Sequence, residues 1–388
     1  MPPSSGSVFV SAGEVSGDHY LARVYERLRS AGYAGRVYGL CGDASRSAGV
    51  EGLWRAERLQ LLGVSEVLGS LLDIFCLLGE MSQEIVSAGP AVIVCVDSPD
   101  FHLPLIRRIR RRGYCGRIFY ISPPSVWAWR SYRARDLAAH VDECLPLFKF
   151  EHDYLVNAGC NSLWIGHPLV EEFMELRVDV RQVRADVRKF GESGAVSEKI
   201  VALLPGSRRS EIEQLYPIMG AICAPLEERG YTPVFSVAPG LSEHASHELL
   251  SHLERDGRYY YTGAGRNLMA AAEMVLGSSG TATAEALLLN RYMVVLYKLR
   301  KITALIGKML LRHVMFAIPN LLAGRMFFPE LIQENATPQA AEKAAFEWLD
   351  LPQDERAART AEMIRLAGLM GEPGVYDFWA GRILDALE

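Results

Sequence analysis

The chain has 388 residues, a formal net charge of −5, 49% hydrophobic residues and 22% charged ones. That length suggests two ordinary domains, the apolar share excludes a disordered chain, and the mild acidity excludes a protein whose whole surface binds nucleic acid. Seven irregularly spaced cysteines without a CxxC pair exclude a zinc ribbon or thioredoxin-like motif and fit a reducing compartment.

The N-terminus lacks a basic region before its short apolar run, so no secretory signal is expected. Val8–Ser11 reads as a strand, followed by a glycine turn and a helix from about His19 to Ala31. Val37–Leu40 is the next strand. The apolar stretch Leu61–Met81 carries Glu66, Asp73 and Glu80, too many charges for a membrane span. Ala91–Val96 is a continuous apolar run, the pattern of a strand buried on both faces. Arg117–Ile121, Glu143–Leu147 and Ser162–Ile165 complete a first βα series. The polar stretch Val178–Lys199 gives no strand signal. A second series follows with Lys199–Leu204, Pro233–Ala238, Tyr259–Tyr261, Met274–Leu276 and Tyr292–Tyr297, and the chain from about Pro338 reads as helical. The rhythm predicts an α/β protein with two Rossmann-like domains and an interdomain cleft, with ligands beyond the carboxyl ends of the strands.

Several motifs fall at those strand ends. Gly13, Glu14, Ser16 and Gly17 occupy the turn after the first strand, either as a plain strand-to-helix turn or as a close backbone approach to a ligand. Asp97 and Asp100 follow the AVIVCV run, and either could serve as a general base for an acceptor hydroxyl. Gly206, Ser207 and Arg208 follow VALL as a glycine turn with a guanidinium, suited to a diphosphate. Ser279, Gly280, Thr281 and Thr283 open another helix, with Glu285 one turn in, placed to accept from a ribose diol. Trp127 and Trp129 lie beside Arg130, either to grip a sugar or acyl chain or as ordinary core. From Ala286 to Pro329 there is no acidic residue, while Arg291, Lys298, Arg300, Lys301, Lys308, Arg312 and Arg325 stand among apolar ones. That composition suits an anionic membrane surface. His244, His247 and His252 lack a carboxylate ligand set, so no metal is expected.

As a set, SAGEVSGD, VDSPDF, SVWAWR, IGHPL, LLPGSRRSEI, SSGTATAE and PNLLAGR resemble, in content and order, the lipid-A-disaccharide synthases. The likeness runs from about Ser11 to Gln333; the paired prolines Pro123–Pro124 depart from the family's single one. The resemblance implies a GT-B fold. It implies an inverting hexosyltransferase that joins UDP-2,3-diacylglucosamine to 2,3-diacylglucosamine 1-phosphate through a β-1,6 bond in lipid A biosynthesis, without metal or cofactor. It also implies peripheral attachment to the cytoplasmic side of the inner membrane, and admits a homodimer, because members can exchange their C-terminal part. Expected domains are 1–168, 169–340 and a helical segment 341–388 returning to the first. Carried onto this chain, Asp100 is the expected base and Arg208 neutralises the diphosphate. Thr281 and Thr283 lie near the phosphates, Glu285 near ribose or uracil, and Asn320 in the cleft. Gly13, Glu14 and Ser16 line the opposite wall. Rival readings are a UDP-N-acetylglucosamine 2-epimerase-like isomerase, disfavoured by SVWAWR and the acid-free segment, and a non-catalytic binder, disfavoured by Asp100 and Arg208.

Overall fold

The computed structural model describes residues 6–60, 67–190, 198–298 and 315–388. Arg300, Lys301, Lys308 and Arg312 of the basic segment lie outside the described residues, as does the start of the Leu61–Met81 stretch. The chain forms two compact units, Met1–Glu172 with Met370–Glu388, and Phe173–Leu369.

In the first unit, β1 (Val8–Ala12), β2 (Val37–Cys41), β3 (Glu51–Arg55), β4 (Val92–Val96), β5 (Arg117–Ile121) and β6 (Glu143–Leu145) make one parallel sheet of order β3-β2-β1-β4-β5-β6. Helices cover both faces, which is why its central strands carry no polar alternation. Phe9 packs into the core on one face, and Val8, Val10 and Ala12 into the core on the other. The edge strand β3 was not expected. Its sequence EGLWR leaves Glu51, Leu53 and Arg55 exposed, so it lacks the apolar run that marks its neighbours. The expected strand at Ser162–Ile165 reduces to a single bridge between Ser162 and Cys144.

The chain returns to this unit at Met370, later than the expected 341. The helices Pro338–Leu349 and Gln353–Gly368 belong to the second unit, where Trp348 stacks on Tyr292 with ring centroids 4.4 Å apart. At the return, Gly166 bridges Gly371, whose φ of 88° and close approach to Ile165 and Gly166 leave no room for a side chain. The last helix, Val375–Asp385, then lays Tyr376 and Trp379 against Tyr20 of the helix Val15–Ser30. Two buried carboxylates hold it: Glu143 accepts from Arg382 at 2.8 Å, and Glu171, paired with Arg27 at 2.7 Å, accepts from the Gly374 amide at 3.2 Å. Breaking such a buried pair leaves an uncompensated charge, so the return segment is fixed by charge as well as by apolar packing.

The second unit holds β7 (Arg188–Lys189), β8 (Ile200–Leu204), β9 (Thr232–Ser236), β10 (Tyr259–Tyr261), β11 (Ala272–Ser278), β12 (Tyr292–Tyr297) and β13 (Glu330–Ile332) in the order β13-β12-β11-β8-β9-β10-β7. All pairings are parallel except β7 on β10. Without β7, each sheet has the doubly wound order in which direction reverses between the first and fourth strands of its series. The reversals fall between β1 and β4, and between β8 and β11. Among the described residues no helix is long and apolar enough to cross a membrane, and every cysteine is free.

Candidate functional site

At the reversal point of the first unit, β4 ends on Asp97 and Ser98. Both hold left-handed backbone conformations, with φ of 53° and 42°. Such conformations cost non-glycine residues of order 1–3 kcal/mol each and persist only where surroundings over-determine them. Here the surroundings come from the first motif. The Gly13 amide donates to Asp97 Oδ1 at 3.3 Å, and the Ser98 hydroxyl donates to the same oxygen at 2.6 Å. A Cβ on Gly13 would strike Ser98, and one on Gly17 would strike the Asp97 carboxyl. These two glycines are therefore small so that β1 and its following helix can close on the Asp97–Ser98 turn. Asp97 Oδ2 is buried and has no hydrogen-bond partner. Burial first, with the charge of Glu14 adding to it, pushes the Asp97 carboxyl up to about 7 against the donors that oppose it. Glu14 and Ser16 are exposed at the same turn. Asp18, the last residue of the motif, points away: its carboxylate accepts from the Gly42 and Ala44 amides at 2.8 and 2.9 Å and caps the helix Asp43–Ala48.

Asp100 lies in the first turn of the helix Pro99–Arg111 and its side chain is 69% exposed. Its carboxylate is engaged by Arg130, at 2.7 Å, and by the largely buried Arg133. Through these two guanidiniums the carboxylate expected as the base is tied to the SVWAWR segment. Within that segment Arg130 stacks over the Trp129 ring at 4.0 Å. Trp127 donates through Nε1 to Glu151 at 3.2 Å and packs edge-on against Phe150. Its indole N–H is thus committed to the scaffold, while Trp129 is 40% exposed.

The second unit brings its two expected anion turns together. β8 and β11 are paired in parallel, so Gly206–Ser207–Arg208 and Ser279–Gly280–Thr281 leave neighbouring central strands at the carboxyl end of the sheet. Gly206, at φ 114°, turns the chain, and Glu211 reaches back from the following helix to accept from the Ser207 amide at 3.0 Å. The side chain of Arg208 is exposed and has no ion-pair partner among the described residues. Gly280, at φ 132°, opens the helix Thr281–Leu288, whose first N–H groups lack intrahelical acceptors. Ser279 and Glu285 are half-buried and Thr281 is exposed.

Two expected ligands prove to be scaffold. The Thr283 side chain is fully buried; its hydroxyl donates to Gly280 O at 2.9 Å and accepts from the Ile318 amide at 3.2 Å. Asn320 is also fully buried, accepting from the Phe327 and Phe328 amides and donating to Phe328 O and Glu330. With its amide saturated, it fixes the loop before β13 and cannot bind a substrate without breaking that loop. Sequence reasoning missed Glu330, which accepts from the Phe316 and Ala317 amides, and His102 behind Asp97. No pattern in the sequence distinguishes the half-buried Glu330 and the buried His102 from surface residues of the same type. Among the described residues, no group of three or more His, Cys, Asp or Glu side chains is placed to hold a metal ion.

A sequence model described as lipid-A-disaccharide synthetase matches residues 8–369. The lipid-A-disaccharide synthase of Alcanivorax borkumensis is 33% identical over 355 residues, covering 91% of this chain and 90% of that protein. The fold is similar to that of an S. aureus MnaA–UDP co-structure, with a TM-score of 0.65 at 10% identity, covering 97% of this chain and 96% of that one. It is also similar to a UDP-GlcNAc 2-epimerase from Neisseria meningitidis bound to UDP-GlcNAc, with a TM-score of 0.63 at 10% identity, covering 98% of this chain and all of that one (100%). The two sheets and these neighbours make the fold GT-B, and the match over most of the sequence makes this chain a member of the lipid-A-disaccharide synthetase family.

Proposed function

We propose that this chain transfers the 2,3-diacylglucosamine of UDP-2,3-diacylglucosamine to the 6-hydroxyl of 2,3-diacylglucosamine 1-phosphate, releasing UDP and a β-1,6 disaccharide. In a chain of this family, the observation that carries the mechanism is Asp97, a carboxylate with one uncommitted oxygen at the end of the central strand. It takes the proton of the acceptor hydroxyl as that oxygen attacks the donor's anomeric carbon. The bond from that carbon to the diphosphate breaks, and the charge left on UDP meets the Arg208 guanidinium and the N-terminus of the helix Thr281–Leu288. Asp100 holds the SVWAWR segment through Arg130 and Arg133. The epimerases share this fold at 10% identity, which carries fold alone, whereas the synthase relative is 33% identical. Two acylated substrates call for a protein working at a membrane surface. The sequence's acid-free basic segment and the exposed Phe75 support peripheral docking there.

The reading is tested by UDP release in detergent micelles from the diacylated donor, with and without the acylated glucosamine 1-phosphate. Release that requires the acceptor is expected. Equal release without acceptor would make the protein a donor hydrolase, and no release at all would remove the transferase reading.

A further inference from the structure

Two donors converge on the main-chain oxygen of Asp97. The Tyr120 hydroxyl donates at 2.6 Å and His102 Nδ1 lies at 2.8 Å. A carbonyl only accepts, so Nδ1 carries the hydrogen, and Nε2 is left to accept from the Ser11 hydroxyl at 2.7 Å. All three side chains are fully buried, and each is engaged by its neighbours within the chain. Burial also lowers the His102 pKa to about 4, which keeps the ring neutral in this one tautomer. The backbone supplies no donor in their place. The following helix begins with Phe101 and His102 donating to Ser98 O, leaving Asp97 O outside its ladder.

We propose that Ser11, His102 and Tyr120 are positioning residues that lock the Asp97–Ser98 peptide in its left-handed turn and so aim the Asp97 carboxylate. With both donors in place, flipping that peptide to relieve the backbone would strand two buried donors, a penalty the turn avoids by staying as it is. Without them, the turn relaxes and the carboxylate leaves its place against Gly17. The role rests on the reading of Asp97 as the base.

The test uses side-chain geometry. His102→Asn keeps an N–H where Nδ1 stands, so it preserves the donor to Asp97. His102→Gln moves the amide to the level of Nε2, facing Ser11 and losing that donor. Tyr120→Phe deletes one oxygen and leaves at most an oxygen-sized void, so it keeps the comparison valid if the glutamine variant fails to fold. We expect kcat to fall on the order of 10- to 100-fold in His102→Gln and Tyr120→Phe, with KM for the donor unchanged, and His102→Asn to recover most of the loss. Native kcat in Tyr120→Phe, or equal losses in the asparagine and glutamine variants, would overturn the proposal. Asp97→Asn is measured alongside. Full activity there would sink the base assignment itself, whereas an inactive Asp97→Asn beside native Tyr120→Phe would sink only the positioning role.

Discussion

Asp97→Asn is expected to lower kcat by roughly 10²- to 10⁴-fold while leaving UDP affinity unchanged, the range typical of losing a general base. The asparagine keeps the shape of the side chain and can still accept from Gly13 and Ser98, so the turn survives and only the proton acceptor is lost. The pH dependence follows from the same environment. Burial disfavours the charged form and raises the carboxyl to about 7, so it is protonated and inert below that value and becomes a base as pH rises through it. The kcat/KM profile of the native protein should therefore show an acidic limb with its midpoint near 7, lost in the asparagine variant. Asp100→Asn should retain far more activity, because that carboxylate is exposed and already spent on Arg130 and Arg133. A severe loss in Asp100→Asn with activity retained in Asp97→Asn would return the base to Asp100.

Arg208→Ala is the second large effect. Its guanidinium is exposed beside the Gly206 turn, without an ion-pair partner among the described residues, so no internal structure depends on its charge. Such groups, together with helix N-termini, can neutralise a leaving diphosphate. Removing one preorganised donor of this kind typically costs about 10²–10³-fold in rate. We expect a loss of that size in kcat/KM together with weaker UDP binding by calorimetry, and an unchanged melting temperature. Lysine should restore only part of it, because an ammonium cannot reproduce the bidentate fork. Native UDP affinity and native rate in the alanine variant would place the diphosphate elsewhere.

What could be read from the sequence divides along physical lines. Central parallel strands such as Val92–Val96 and Ile200–Leu204 are buried on both faces, so hydrophobicity alone locates them. Short edge strands are half-exposed and polar, as at Glu51–Arg55, Arg188–Lys189 and Glu330–Ile332, and leave no such trace. The motifs reported which turns matter but not which side chains face outward. Two carboxylates three residues apart look alike in sequence. Only the left-handed turn shows that Asp97 is folded under Gly17 while Asp100 rides the outer face of a helix. Thr283 reads as a ligand from its hydroxyl-rich glycine turn and Asn320 from the family resemblance; the structure spends both on loop carbonyls and amides. The return point at Met370 depends on a pairing between Gly166 and Gly371, more than two hundred residues apart, which no local pattern encodes.

The most direct measurement is the proton–carbon correlated NMR spectrum of the products formed when the native protein is given both lipids in micelles. A new β-anomeric doublet, a C6 shifted by glycosylation and stoichiometric UDP are the predicted result. A donor inverted at C2, with the acceptor untouched, would contradict the account and make the protein an epimerase built on the same fold.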